Sequence, residues 1–158
     1  MEQEQNNYII RPIKKNDSKR IWQIRNHPLA REHSNNPEPI SFKNHQKWFE
    51  KKYFSKEKNF CFVLERQSKA IGYCRFDLGK ESNFYIISLA LDVNEQGRGL
   101  GNFLLSYSLK KIKISQPILA EVRIGNMPGL KVFQKNNFKV LRQDQEKYYL
   151  QHQNARYA

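Results

Sequence analysis

The run Gln96-Gly97-Arg98-Gly99-Leu100-Gly101 is where residue types and spacing point most directly to chemistry. It follows an apolar stretch with strand character and opens a helix. A helix start presents backbone N–H groups that no earlier carbonyl takes, and the positive end of the helix dipole. Glycines let that backbone approach an anion closely, so the segment suits a phosphate cradle, with Arg98 adding charge. A tight strand-to-helix turn, in which the glycines serve geometry alone, is the other reading. Two rival phosphate motifs fail on spacing. A dinucleotide fingerprint needs glycine at 102 or 104, where Asn102 and Leu104 stand, and a Walker loop needs Gly-Lys-Ser/Thr, which is absent. No Cys/His cluster has zinc-ligand spacing, so no metal is expected.

The elements that must hold this loop follow from periodicity and punctuation. Tyr8 to Ile13 reads as a first strand, with Pro12 favouring an edge or a strand end. Asp17-Ser18 can cap a helix over about 19–26, with Ile21, Trp22 and Ile24/Arg25 turned inward. Residues 27–40 carry Pro28, Pro37 and Pro39 and read as a loop with at most a short helical turn. Ser41 caps a second helix over 42–54, with Phe42, His45, Trp48/Phe49 and Lys52/Tyr53 at helical spacing. Strands over 60–65, 70–78 and 84–93 have gaps that suit hairpins and predict an antiparallel meander. After the glycine loop come a helix over 100–113, a strand over 118–124, and a short helix over 128–136 with proline in its first turn. A hairpin of 138–141 and 147–151 closes the chain. The order predicts an α/β (α+β) domain: a mostly antiparallel central sheet of about seven strands, flanked by about four helices, with a strand-helix-strand crossover in its second half.

Composition sets the bounds. The chain has 158 residues, which suits one domain. Leu, Ile, Val and Phe make up about a quarter of it, enough for one core. No apolar run is long enough to span a membrane, and the start is polar and acidic, unlike a secretory signal. Two cysteines do not make a disulfide framework; Cys61 and Cys74 lie in apolar runs and read as buried reduced thiols of a cytoplasmic protein. The net charge is +13, spread evenly along the chain, a field that gathers anions. The single domain is expected to span 1–158, with 151–158 a polar tail that frays or reaches a partner subunit of a homodimer, the monomer being the alternative.

The stretch from Ile87 to Gly101 resembles the acetyl-CoA motif of the GNAT N-acetyltransferase superfamily, Gln/Arg-x-x-Gly-x-Gly/Ala, with Gln96, Gly99 and Gly101 in the motif positions. Glu121-Val122-Arg123, Asn126, and Phe133 to Phe138 resemble a second segment of that family, and the strand order is similar to the family's over essentially the whole chain. The resemblance implies a GNAT-like sheet splayed at the cofactor site. It also implies that the N–H groups of Gly97, Arg98, Gly99, Leu100, Gly101 and Asn102 hold the CoA pyrophosphate. The backbone of Leu89, Ala90 and Leu91 pairs with the pantetheine arm, and Asn126 contacts the same side. The chemistry implied is acetyl transfer from acetyl-CoA to a primary amine by direct attack in a ternary complex, with Glu121 in the position of a general base. Two positions depart from the pattern. Phe133 stands where the family often has a tyrosine that protonates the leaving thiolate; a thiol of pKa about 8.5 still leaves acceptably without it. Asn137 replaces a glycine, which asparagine tolerates in the left-handed conformation.

The front half resembles the GNAT subgroup that acetylates amino-sugar nucleotides in pseudaminic-type sugar synthesis, through Trp22 to Asn26 and Ile40 to Phe49. That resemblance implies a UDP-linked amino sugar as acceptor, an anionic molecule in keeping with the charge. Arg25 and Asn26 would contact it, Arg25 at a phosphate. Trp48 or Phe49 would stack on a ring, and His45 would contact the sugar or take a proton. Protein N-termini or another small amine are the alternative acceptors. Plainer readings stand beside each. Trp22, Trp48 and Phe49 at helical spacing also fit a core, and His45 a hydrogen-bonded structural histidine. Arg25 fits a surface ion pair, Glu121 a solvated strand residue and Asp92 a loop cap. Tyr148 and Tyr149 alternate, so one faces the site. Two other classes are open: a non-catalytic acetyl-CoA sensor, motivated by Phe133, and a basic nucleic-acid-binding module, against which the unclustered charge counts.

Overall fold

The computed structural model describes residues 7–153. A single seven-stranded sheet runs in the order β1-β2-β3-β4-β5-β7-β6. The strands are β1 (Tyr8–Pro12), β2 (Phe60–Arg66), β3 (Lys69–Leu78), β4 (Tyr85–Leu91), β5 (Ile118–Arg123), β6 (Phe138–Gln143) and β7 (Lys147–His152). Every neighbouring pair is antiparallel except β4–β5. The expected meander of β2, β3 and β4 is present, and Pro12 ends an edge strand, where its missing N–H breaks no ladder.

Five helices, one more than expected, cover the sheet: α1 (Ser18–Asn26), α2 (Pro28–Glu32), α3 (Phe42–Tyr53), α4 (Leu100–Lys111) and α5 (Met127–Lys135). The extra one is the short turn in the proline-rich stretch, where Pro28 fixes the first position and the His27 ring accepts the Leu29 N–H at 3.2 Å. Ser41 caps α3 as expected, its Oγ accepting the Asn44 N–H at 3.2 Å. Asp17 does not cap α1. Its carboxylate is taken by the Arg11 guanidinium, at 2.8 and 2.9 Å, and by the Lys14 N–H at 2.7 Å, a charge-assisted set that outcompetes a neutral helix amide.

Strand alternation divides the core in two. Leu64, Cys74, Phe76 and Ile87 face α4 and α5 and pack with Leu104, Leu105, Leu130 and Phe133. Cys61, Val63 and Tyr73 face the opposite way and pack with Ile21, Ile24 and Phe49 of α1 and α3. Each side chain of this size buried in full contributes about 1.5–3 kcal/mol. Both cysteines are free and buried, and burial pushes the Cys74 thiol up to about 12. Several element ends shift from expectation. β4 stops at Leu91 because Asp92 turns away to cap a 3-10 turn, accepting the Asn94 N–H at 3.0 Å. Helix α4 ends at Lys111 and not at 113. Gln151 and His152 belong to β7, opposite Leu119 and Phe138, so the expected tail cannot begin at 151; its residues 154–158 lie outside those described.

Candidate active site

The one parallel pair in the sheet is short. β4 and β5 are in register only from Tyr85↔Ile118 to Ile87↔Ala120, although β4 runs on to Leu91 and β5 to Arg123. Beyond Ile87 the strands part, and the β4 edge from Ser88 to Leu91 has no ladder partner on that side. Unpaired backbone donors and acceptors of this kind are a template for another extended chain. Leu89, Ala90 and Leu91, the residues singled out for pantetheine pairing, lie on this edge.

The glycine loop sits at the end of the same strand. Gly97 and Gly99 adopt φ of 82° and 75°, and Gly99 is the N-cap of α4. A Cβ at either position would meet nothing within 4 Å, so the space in front of the loop is open. Left-handed glycines therefore turn the N–H groups of the first turn of α4 outward without obstruction. Gly101 differs: a Cβ there would touch Leu89 and Leu91 at 3.8 Å, an ordinary contact. The loop is pinned from below by Glu95, which is buried and paired with Arg66 and, at 3.5 Å, with Arg98. Asn102 is held by the Asn136 amide at 2.8 Å, which ties α4 to α5. Such a cradle, an open anion site beside an unpaired strand edge, fits a pyrophosphate carrying a peptide-like arm.

Asn126 is the N-cap of α5. Its Oδ1 accepts the Gly129 N–H at 3.1 Å, and its amide NH2 has no acceptor among the described residues. Phe133 lies in the core, its ring 5.0 Å from that of Phe138, so it brings no polar atom to the cradle. Asn137, at φ 68°, takes the left-handed conformation expected of it.

The opposite face of the parting receives residues from far apart in the chain. On β5, Ile118, Ala120 and Val122 point to the α4–α5 core, which turns Glu121 and Arg123 to the α1–α3 face. Glu121 accepts from the Asn35 amide at 3.3 Å and lies 3.6 Å from the Lys147 ammonium, with a quarter of its side chain exposed. Arg123 donates to the Ser34 carbonyl at 2.9 Å. These two bonds lay the α2–α3 loop across the mouth of the parting. Asn26 fixes the far end of that loop by accepting the Ile40 N–H at 2.9 Å, and the Trp22 indole donates to the Ile40 carbonyl at 2.6 Å. Asn26 thus has a scaffold duty. Asp92 accepts from Arg20 at 2.7 Å; burial works against its charge, but the Asn94 N–H and Arg20 leave its carboxyl below the usual range.

His45 is not delivered to this mouth. Its ring is fully enclosed among Phe42, Trp48 and Phe49, and burial, then Arg25 and Arg75, lower its pKa to about 4. Held neutral and packed by three aromatic rings, His45 is placed as a core residue. Trp48 and Arg25 are brought together, the guanidinium 4.6 Å from the ring centre. A second arginine, Arg75, lies over the same indole at 5.0 Å. Sequence reasoning missed Arg75. The available signal was a cation in the middle of Tyr73-Cys74-Arg75-Phe76, a strand apolar on both faces, where a charge must be functional or paired. Tyr149, opposite Glu121 in register, is the tyrosine of the last strand on this face; its hydroxyl donates to Asp144 at 2.7 Å. Among the described residues no helix is long and apolar enough to cross a membrane, and no group of His, Cys, Asp and Glu could hold a metal.

A sheet parted at its centre, with a glycine-turned helix start on one side and a polar mouth on the other, defines an α/β transferase that brings two reactants together through the sheet. The Acetyltransferase (GNAT) family profile matches residues 20–138, and the chain belongs to that family. Solved structures agree in fold. The yncA protein of Salmonella typhimurium, solved with its cofactor acetyl-CoA, superposes with TM-score 0.81 at 20% identity over 93% of this chain and 94% of that one. Spermidine N-acetyltransferase from Vibrio cholerae, in complex with CoA and spermine, gives 0.77 at 15% over 96% and 98%. Ribosomal-protein-alanine N-acetyltransferase from Brucella melitensis gives 0.75 at 18% over 90% and 98%. No curated protein sequence matches the chain.

Proposed function

We propose that this acetyltransferase moves the acetyl group of acetyl-CoA to the primary amine of a UDP-linked amino sugar, by direct attack in a ternary complex in the cytoplasm. The observation that carries the reading is the parting of β4 from β5 beyond Ile87, directly beside the open glycine cradle. The N–H groups from Gly97 to Asn102 bind the pyrophosphate, the edge of Leu89 to Leu91 orients the pantetheine, and the free NH2 of Asn126 adds a donor on that side. Bound there, acetyl-CoA supplies an activated thioester. On the other face Glu121 accepts the proton that the ammonium must lose before its nitrogen can attack. Phe133 offers no acid at the cradle. The Arg25–Trp48 pair supports an acceptor with an anionic group and a flat ring, and the buried free thiols suit a reducing compartment.

The test is thermal unfolding with and without saturating acetyl-CoA, with a short single-stranded DNA as control. A ligand at 100 times its Kd adds about 2.7 kcal/mol, a shift of several degrees for a chain of this size. Turnover is then compared among UDP-amino sugars, N-terminal peptides and spermidine. A shift with DNA but none with acetyl-CoA overturns the transferase reading, and faster turnover of peptide or spermidine overturns the sugar-nucleotide acceptor.

A further inference from the structure

Arg75 is on β3, a strand shielded by helices on both faces, and its side chain points to the α1–α3 side with Tyr73 and Asp77. Its Cα partner is Ser88, the first β4 residue beyond the last β4–β5 pair, and its Nη2 donates to the Ser88 hydroxyl at 3.3 Å. The guanidinium is therefore delivered to the threshold of the parting. One carboxylate attends it, Asp77 at 3.4 Å, and that carboxylate also accepts the Tyr53 hydroxyl at 3.1 Å. The Nε and Nη1 atoms of Arg75 are buried with no hydrogen-bond partner. The Arg25 guanidinium lies over the same Trp48 ring and makes no hydrogen bond or ion pair among the described residues. Burial and the charge of Arg75 both work against the positive charge of Arg25, whereas burial of Arg75 is outweighed by Tyr53 and Asp77, which favour its charge.

Two guanidiniums against one carboxylate, with buried N–H groups unsatisfied, make a costly arrangement for a merely structural cluster. Unpaired buried donors of a charged group carry their full desolvation penalty, and like charges add to it. An oxyanion completes it: the planar guanidinium fork donates paired N–H bonds to a carboxylate or phosphate, and the indole stabilises the cations when the site is empty. Glu121, the base proposed for the amine, is on β5 beside Lys147, and the two arginines lie toward β3.

We propose that Arg75 and Arg25, gathered on the Trp48 indole, form the receptor for an oxyanion carried by the acceptor, and that Arg75 thereby determines acceptor specificity. The inference rests on the acetyl-transfer reading and adds the chemistry of the acceptor's second contact, a carboxylate or phosphate. A polycation such as spermidine is excluded by the same charges.

The experiment uses the full chain and the variants Arg75→Gln, Arg75→Lys and Arg25→Gln. Acetyl-CoA binding, measured first, is expected to be equal in all four, which shows that the cradle and the fold are intact. Initial rates are then taken on matched amines: an amino acid and its amide, an amino-sugar phosphate and its free amino sugar, and spermidine. The wild-type protein prefers the anionic member of one pair by about tenfold or more, and Arg75→Gln raises KM for that member by about 10- to 100-fold with kcat little changed. The neutral partner is unaffected. Arg75→Lys recovers only part of the loss, since it keeps the charge but not the fork. The pair that shows the preference tells carboxylate from phosphate. Equal use of neutral and anionic members, or an equal loss on both in Arg75→Gln, overturns the proposal. Should Arg75→Gln fail to bind acetyl-CoA, Arg25→Gln carries the same comparison. Should acetyl-CoA bind but no amine turn over, the catalytic reading falls. Thermal shifts with UDP and with citrate, wild type against Arg25→Gln and Arg75→Gln, then decide the receptor: no difference overturns it.

Discussion

His45 gives the sharpest test of how the α1–α3 side is built. Its ring has no exposure and is stacked within 5.6 to 6.4 Å of Trp48, Phe49 and Phe42. Burial first, then the charges of Arg25 and Arg75, bring its pKa down from 6.5 to about 4, with the Ser18 backbone countering a part. A base whose folded pKa is depressed is protonated more readily in the unfolded chain. The stability it contributes is therefore present above the unfolded pKa and is lost as pH falls from about 6.5 toward 4. At 1.36 kcal/mol per unit, a shift of this size amounts to about 3 kcal/mol, most of it lost by about pH 4.5. The perturbation is His45→Phe, which keeps a ring in the stack and cannot titrate. Urea unfolding of both proteins between pH 7.5 and 4.5 isolates the residue, because every other group is common to the two curves. The wild type is expected to lose about 2–3 kcal/mol more than the variant over that window. Parallel curves, or a wild type that resists acid better, would refute the enclosed neutral ring. The same variant should retain acetyl transfer, since an enclosed ring takes no proton from substrate.

Two further outcomes test the donor and the base. Gly99→Ala introduces a side chain at φ 75°, costing about 1–2 kcal/mol of stability, yet its Cβ enters open space, so acetyl-CoA still raises the melting temperature. Gly99→Asp adds a carboxylate to the cradle and should abolish that ligand-induced rise; a rise equal to the parent's would show that the pyrophosphate binds elsewhere. Glu121→Gln keeps the Asn35 contact and removes the base, so kcat should fall about 100-fold or more while acetyl-CoA affinity is unchanged. An unaltered kcat would pass the proton to another group.

The strand, glycine loop and helix start proposed to hold the donor were legible because they are local. A strand, three glycines and a helix start are contiguous from Leu89 to Asn102, and their role depends on backbone geometry that glycine spacing encodes. The left-handed φ of Asn137 was readable because asparagine stands there in place of the family's glycine. The Asp17 cap was misread because its competitor, Arg11, belongs to another element and reaches it only once β1 is paired with β2. His45 was left open between a site residue and a structural histidine for the same reason. Its helical spacing beside two aromatics fits a platform or a core equally, and the sheet behind α3 decides between them.

The two faces also differ in what they ask of the chain. Across the parting, the donor meets backbone N–H groups and a strand edge, which almost any side chains can furnish if the glycines hold the turn. In the proposed site the acceptor meets Arg25 from α1, Trp48 from α3, Arg75 from β3 and Glu121 from β5, four positions spread over nearly a hundred residues. Side chains contributed by separate elements can change one at a time without disturbing the cradle. A family with this plan therefore keeps its cofactor while its acceptors diverge. For this chain the telling change is Arg75. A single arginine over Trp48 fits a satisfied cation, but two lie over this indole and one carboxylate, Asp77, pairs with Arg75 alone, which is the imbalance the proposed oxyanion would relieve.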